Sequence, residues 1–244
     1  PPRSTLFPYT TLFRSIAYLI WIERKVMAHM QVRLGPMRVG WHGLLQPIAD
    51  GLKLILKEDI IPANASKILF VLSPAIAMVP ALLAIAVIPF GDTISIMGVS
   101  IDMVITDVNI GILFILAVSS VGVYGILLAG WSSNNKYSLL GGLRSSAQMI
   151  SYELSMGLSL IGVIMMTESL SLVDTVNAQA NLWFVVLQPV AFVVYAISAI
   201  AETNRCPFDL PEAETELVSG FHTEYSSMKF ALFFMAEYAN IITV

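Results

Sequence analysis

Six carboxylates and one arginine crowd a single short stretch of this chain: Glu202, Arg205, Asp209, Glu212, Glu214, Glu216 and Glu224. Carboxylates set this close cannot all stay ionised. Some must hold their protons near neutral pH, and such groups can pick up and pass protons. Pro207 and Pro211 forbid a helix through Arg205–Asp209. Asp209 with Glu212 then reads as a capping box that opens a short helix, with more acid in its first turn. Capping accounts for two or three of these acids but not for six.

A second group is Glu153, alone inside the apolar run Ala147–Thr167 with Tyr152, Gln148 and small hydroxyls for polar company. A carboxylate at membrane depth is a candidate proton relay or ion site. The alternative is a protonated acid that hydrogen-bonds within a helix bundle. Glu237, in the run Phe230–Val244, is a weaker case of the same kind.

The third group is Glu23-Arg24-Lys25, followed by Gln31, Arg33, Gly35-Pro36 and Arg38. Basic side chains at the end of a span can simply reach for lipid headgroups and fix topology. Glu23 does not fit that account, because a carboxylate at the edge of hydrocarbon needs a partner or a use. Cys206 is the one cysteine, and His29, His42 and His222 lack metal-ligand spacing, so no metal or cluster is expected. There is no nucleophilic triad, nucleotide fingerprint or phosphate-cradling loop.

These groups are embedded in a chain that is 57% hydrophobic and only 12% charged, against roughly 25% charged for an average soluble domain. Its mean hydropathy is +0.78. That composition suits a chain solvated by lipid, and a net charge of −4 offers no case for a nucleic-acid partner. Four runs are long and apolar enough for complete spans: Ile68–Phe90, Ile110–Trp131, Ala147–Thr167 and Leu182–Ala201. Two more are partial: Ile16–Ile22 reads as the tail of a first span, and Phe230–Val244 as the start of a last one. Pro74, Pro80, Pro89 and Pro189 fall in these runs and invite kinks, although proline is common in membrane helices. The chain is therefore expected to be a fragment, and no cleavable signal peptide is expected at its start.

Beyond residue 15, lysine and arginine fall only in 23–67, 132–146 and 202–229, and none falls in 91–109 or 168–181. Alternation of basic and non-basic connections predicts that the three basic segments face the cytoplasm or matrix. Within the first, Gln46, Asp50, Lys53 and Lys57 form one polar stripe on Leu44–Glu58, which predicts an amphipathic helix at the membrane surface or against a partner.

The ordered blocks identify a resemblance. Glu23-Arg24-Lys25 leads into Gln31-Val-Arg33-Leu-Gly35-Pro36-Met37-Arg38 and then Gly43-Leu-Leu-Gln46-Pro47-Ile-Ala-Asp50-Gly-Leu-Lys53. Gly130-Trp131-Ser-Ser-Asn134-Asn135-Lys136-Tyr137 leads to Arg144 and Ser151-Tyr152-Glu153. Ala201-Glu202-Thr-Asn-Arg205-Cys-Pro207-Phe208-Asp209-Leu-Pro211-Glu212-Ala-Glu214-Thr-Glu216 leads to Gly220-Phe221-His-Thr-Glu224-Tyr225 and Met235-Ala-Glu237-Tyr238. From Ile16 to Val244 the chain resembles the quinone-chamber component of proton-pumping NADH:quinone oxidoreductase, respiratory complex I. That component is the H-type subunit in bacteria and subunit 1 in mitochondria, and the phrasing around Trp131–Arg144 is of the bacterial type. Met37 stands where the family usually has asparagine, and no role is carried over to it. Residues 1–15 do not match the family's apolar start and are read as a non-family, artefactual leader. Residues 16–244 are read as a single membrane domain truncated in its sixth span.

The resemblance implies an all-α, multi-pass transmembrane helical bundle, with four complete and two partial spans of an expected eight, a cytoplasmic amphipathic helix and an acidic loop. It implies a tunnel for a quinone (ubiquinone or menaquinone) lined by Glu23, Arg24, Arg33, Asp50 and Phe221. It assigns Glu153, Glu202, Arg205, Asp209, Glu212, Glu214, Glu216 and Glu224 to an acidic path toward proton-pumping subunits. NADH, FMN and iron–sulfur clusters would reside only in partners: peripheral iron–sulfur and quinone-site subunits, small membrane subunits and antiporter-like subunits. The expected location is the bacterial plasma membrane rather than the mitochondrial inner membrane. Two other readings stand beside this one. A homologous membrane component of a membrane-bound hydrogenase or related dehydrogenase would share the fold and acidic loop but need not bind quinone. A secondary transporter built around Glu153 would show inverted repeats, and none is visible in the sequence.

Overall fold

A computed structural model describes residues 6–91, 94–96, 99–101, 104–209 and 214–244, with the backbone alone for 6–13, the strand residues and 214–215. The long helices are α1 (Leu6–Met30), α3 (Lys67–Ile85), α4 (Gly111–Ser132), α5 (Lys136–Thr167), α8 (Pro189–Glu202) and α10 (Ser227–Thr243). Shorter helices are α2 (Gln46–Leu56), α6 (Leu172–Ala178), α7 (Phe184–Leu187) and α9 (Glu214–Leu217). One antiparallel hairpin of β1 (Ile94–Ile96) and β2 (Val99–Ile101) joins α3 to α4, in a connection where the sequence predicts no strand.

Helices α3, α4 and α5 are each long and apolar enough to cross a membrane. Their outward faces carry large apolar side chains such as Leu154 (69% exposed) and Met165 (75%). Such faces are costly in water and natural in lipid. The all-α membrane bundle expected from the sequence is thus what forms. The amphipathic helix is present as α2, which buries none of its residues.

Three local expectations are corrected. Leu182–Ala201 is not one unbroken span: the helix breaks at Gln188 (φ −131°, ψ 60°), and Pro189 opens α8 as its first residue. Proline lacks the amide hydrogen that a continuing helix would need and is pre-set for a first turn. The Gln188 amide fills the break by donating from Nε2 to the Gly162 carbonyl of α5 at 3.0 Å. Second, Ser132–Ser146 is not a loop. Asn135 caps α5 by accepting the Tyr137 amide at 2.9 Å, and the helix runs on from Lys136. Its first turns are too polar to count as a span, but Ser138, Ser145 and Ser146 are buried against protein instead of lipid. Third, α3 ends at Ile85, short of Phe90.

Glycine permits the closest approaches. A Cβ on Gly125 of α4 would lie 2.6 Å from the Ala77 amide nitrogen of α3, and one on Gly141 of α5 would lie 2.6 Å from Gly220 Cα. Small residues at such crossings let helix backbones touch, which drives packing where lipid removes the hydrophobic incentive. An aromatic core completes the bundle: Phe70 of α3 stacks on Tyr225 at 4.1 Å, and Phe233 of α10 meets both Tyr225 and Phe221 edge-on.

The connections sort to two ends. The three basic segments meet at one: Ser66 N–H donates to the Ser132 carbonyl, Asn135 to Glu224, and Lys229 to Asp59. The two non-basic connections meet at the other, where Ile112 N–H donates to the Leu170 carbonyl and Ser171 to Asp107. This is the alternation that the charge pattern requires.

Candidate functional site

Helix α1 continues through Glu23-Arg24-Lys25, so these neighbours point around its circumference and part company. Arg24 turns toward α2, where its Nη1 lies 2.5 Å from Asp50 Oδ2, while Gln46 Nε2 donates to Asp50 Oδ1 at 3.0 Å. Arg24 borders an open groove of about 640 Å³ lined also by Met27, Arg33, Leu34, Pro36 and Gln46 among others. Two guanidinium groups therefore edge one groove whose remaining walls are largely apolar.

Glu23 faces the other way, into a hub centred on Arg205. The Arg205 Nη1 lies 2.8 Å from Glu23 Oε1, and its Nε lies 2.7 Å from Glu237 Oε1 of α10. Tyr238, next along α10, donates its hydroxyl to Glu23 Oε2 at 2.7 Å and places its ring 4.8 Å from the guanidinium carbon. Burial opposes the charge on Arg205, but Glu237, Tyr238 and Glu23 outweigh that opposition and hold the proton more firmly than water would. A buried or half-buried ion survives only with such pairing.

Deeper in the bundle, Glu153 of α5 accepts a hydrogen bond from Ser120 of α4. One residue back on α4, Ser119 lies beside the carboxylate of Glu202, so that adjacent hydroxyls of α4 serve the two acids. Glu202 is only 8% exposed. It borders a cavity of about 240 Å³ between α3, α4, α5, α8 and α10, whose wall is apolar apart from Glu202, Ser119, Thr175, Tyr195 and a few other polar groups. It also borders a smaller hollow of about 40 Å³ that is shared with Glu237, His222 and Phe221. The arrangement is a series of acidic stations, Glu23 to Glu237 through Arg205, then Glu202, then Glu153, with hydroxyls beside the last two.

The remaining acids are spread out. Glu216 pairs with Arg144 at 2.8 Å on the exposed rim, and Asp209 is exposed. Glu224 accepts from Asn135 Nδ2 at 2.6 Å, beside the connection between α4 and α5. Glu214 begins α9, and Glu212, with the capping role read for it, lies outside the described residues. Phe221 is buried in the aromatic core beside the small hollow, away from the groove edged by Arg24 and Arg33. Among the described residues, no group of three or more His, Cys, Asp or Glu side chains has the geometry to hold a metal ion.

Residues 4–244 match the family model described as NADH dehydrogenase. The chain belongs to that family. It is similar to NADH-quinone oxidoreductase H subunit 1 of Geobacter sulfurreducens, with 60% identity over 98% of this chain and 72% of the relative. The H subunit 2 of Geobacter metallireducens is 61% identical over the same shares. The H subunit 1 of Solibacter usitatus is 60% identical over 97% of this chain and 61% of its own length. The protein is a membrane component of an NADH-quinone oxidoreductase, and other subunits of that complex are its partners.

Within this family frame, the sequence singled out most of the converging acids but missed their neighbours. Ser119 and Ser120 look like ordinary small residues of a membrane helix, and nothing in their spacing marks them as partners of Glu202 and Glu153. Tyr238 sits in a matching block without a role, and Glu237 stands apart from the acidic stretch. Their convergence depends on α10 folding back beside α1, which local sequence does not encode.

Proposed function

We propose that this protein lines the site where the enzyme's quinone is reduced and carries the acidic path that links that reaction to proton translocation. The Glu23–Arg205 contact carries this reading. It joins the segment that edges the α1–α2 groove to the acids that run inward through Glu237 and Glu202. Reduction of a quinone to a quinol takes up two electrons and two protons, so a proton supply must reach the head group. An apolar groove with Arg24 and Arg33 at its edge suits a head group whose carbonyl oxygens gain negative charge on reduction. Asp50 and Gln46 hold Arg24 in place for that role. Electrons would come from clusters in a peripheral partner, with NADH and FMN further away. Glu153, Glu202, Arg205, Asp209, Glu212, Glu214, Glu216 and Glu224 would serve the path toward antiporter-like subunits. The chain would sit in the bacterial plasma membrane with the end that holds Arg24 and Arg205 toward the cytoplasm.

The test is Arg24→Ala in the complete enzyme. A cation that orients the quinone predicts a raised KM for quinone, or a lower turnover, in normally assembled complex. A side chain that only reaches for lipid headgroups predicts unchanged kinetics, and that result would remove the groove from the quinone site.

A further inference from the structure

Helix α2 contributes Gln46 to the groove and carries Asp50, the partner of Arg24, yet none of its residues is fully buried. A polar seam at its far end ties it to α10. Ser227 donates its hydroxyl to the Leu54 carbonyl at 3.0 Å, which satisfies one of the open carbonyls in the last turn of α2. Ser226 donates to the Glu58 carbonyl at 3.2 Å and accepts the Ile60 amide at 3.1 Å. Lys229 closes the seam. Its Nζ donates to both oxygens of Asp59 at 2.9 and 3.1 Å, and it also lies 5.3 Å from the Phe70 ring centre of α3.

The lysine side chain is 13% exposed and Asp59 is 49% exposed, so the cation is the buried anchor and the carboxylate the wet partner. Two turns further along α10 stand Glu237 and Tyr238, which grip Arg205 and Glu23. Eight residues of helix separate the grips by about 12 Å. One rigid element thus holds α2 at one point and the Arg205 hub at another.

We infer that Lys229 is a positioning residue for the groove: through Asp59 it fastens α2 to α10, and so fixes the Arg24–Asp50 pair relative to the Glu23–Arg205 hub. Lys229 itself touches neither cluster. The inference rests on the proposed quinone site, because only a ligand in the groove would report where α2 lies.

The experiment compares Lys229→Met, Lys229→Arg, Arg24→Ala and the Arg24→Ala/Lys229→Met double variant in the complete, membrane-assembled enzyme, using a short-chain quinone as substrate. Lys229→Met should raise the quinone KM several-fold while kcat per assembled complex changes little. Lys229→Arg, which keeps a cation within reach of Asp59, should restore most of the affinity. The double variant should be weaker than Arg24→Ala by less than the single Lys229 effect, because both act on one pair. An unchanged KM for Lys229→Met beside a raised KM for Arg24→Ala would overturn the tether and leave the quinone site standing. If Arg24→Ala changes nothing, the quinone site falls with it. Equal damage from Met and Arg at Lys229 would also overturn the tether. Should Lys229→Met fail to assemble, Asp59→Asn at the exposed partner carries the same test, and an unchanged KM there overturns it.

Discussion

Arg205 and Glu23 are 182 positions apart in the chain and 2.8 Å apart in space. The contact crosses from the connection after α8 to the inner part of α1, and Glu237 of α10 reaches the same guanidinium at 2.7 Å. One cation therefore serves two carboxylates from two helices.

Replacing Arg205 should consequently cost more than one ion pair. Arg205→Met would leave Glu23 and Glu237 facing each other with side chains only 29% and 21% exposed. The expected loss is on the order of 2 kcal/mol, below the range for fully buried pairs because water still reaches the site. Arg205→Lys keeps the charge but offers a single compact head in place of a planar fork, so it should recover assembly better than activity. Assembled complex per membrane and NADH:quinone turnover of that complex are the two measurements. Full turnover in Arg205→Met would detach the hub from the reaction.

Close packing makes a second, purely structural prediction. A methyl group on Gly141 would meet the backbone of Gly220 at 2.6 Å, whereas one on Gly51 of α2 would meet nothing within 4 Å. Gly141→Ala should lower the amount of assembled complex, because backbone cannot move aside as a flexible side chain can. Gly51→Ala should be neutral or stabilising by up to about 1 kcal/mol, since alanine favours helix over glycine. Protein levels in native gels separate the two.

Spans α3 and α4 and the surface helix α2 follow from apolar run length and polar stripes, which are local properties legible in the sequence. The first turns of α5 escape that logic. Ser138, Ser145 and Ser146 are polar enough to look like a loop, but they are buried by the helices around them. Hydropathy measures preference for lipid and says nothing of preference for protein. Pro189 is a visible signal for the break before α8, yet a kink and a true interruption give the same sequence. In the site, type and charge mark Glu23, Glu153, Glu202 and Arg205. Their partners Ser119, Ser120 and Tyr238 emerge only once α4 and α10 are placed beside α5 and α1.

The buried histidine predicts a pH effect of definite sign. His222 sits among Phe221, Phe230 and Phe234, and burial pushes its pKa down from 6.5 to about 4. The unfolded chain binds this proton more readily than the folded one. The stabilisation from keeping it neutral is therefore complete above about pH 6.5 and is lost progressively as pH falls toward 4, by roughly 1.4 kcal/mol per unit at most. Thermal inactivation of the complete complex should reach its midpoint at lower temperature across that window. His222→Leu removes the titrating group and should flatten this part of the profile. An identical pH profile in the variant would mean that other groups dominate acid inactivation.

The acidic rim separates structural from chemical roles most directly. Glu216 pairs with Arg144 at 2.8 Å, but their side chains are 61% and 36% exposed. Such a pair contributes at most about 1 kcal/mol. Glu216→Gln keeps the shape and much of the hydrogen bonding, so on structural grounds it should be close to silent. The same holds for Glu214→Gln at the start of α9, where a first-turn acid is worth at most about 1 kcal/mol. If both carboxylates share protons on the way to the hub, neither is the sole carrier, and losing one shifts the load to the other. Glu214→Gln should then lower quinone reductase activity and pumping together, and the double change with Glu216→Gln should be markedly worse. Activity and membrane potential, normalised to assembled complex, give the readout, and the small structural cost means that misassembly cannot mimic it. Full activity with both side chains neutralised would assign these acids to helix capping and the Arg144 contact, and the proton path would have to run from Arg205 inward without them.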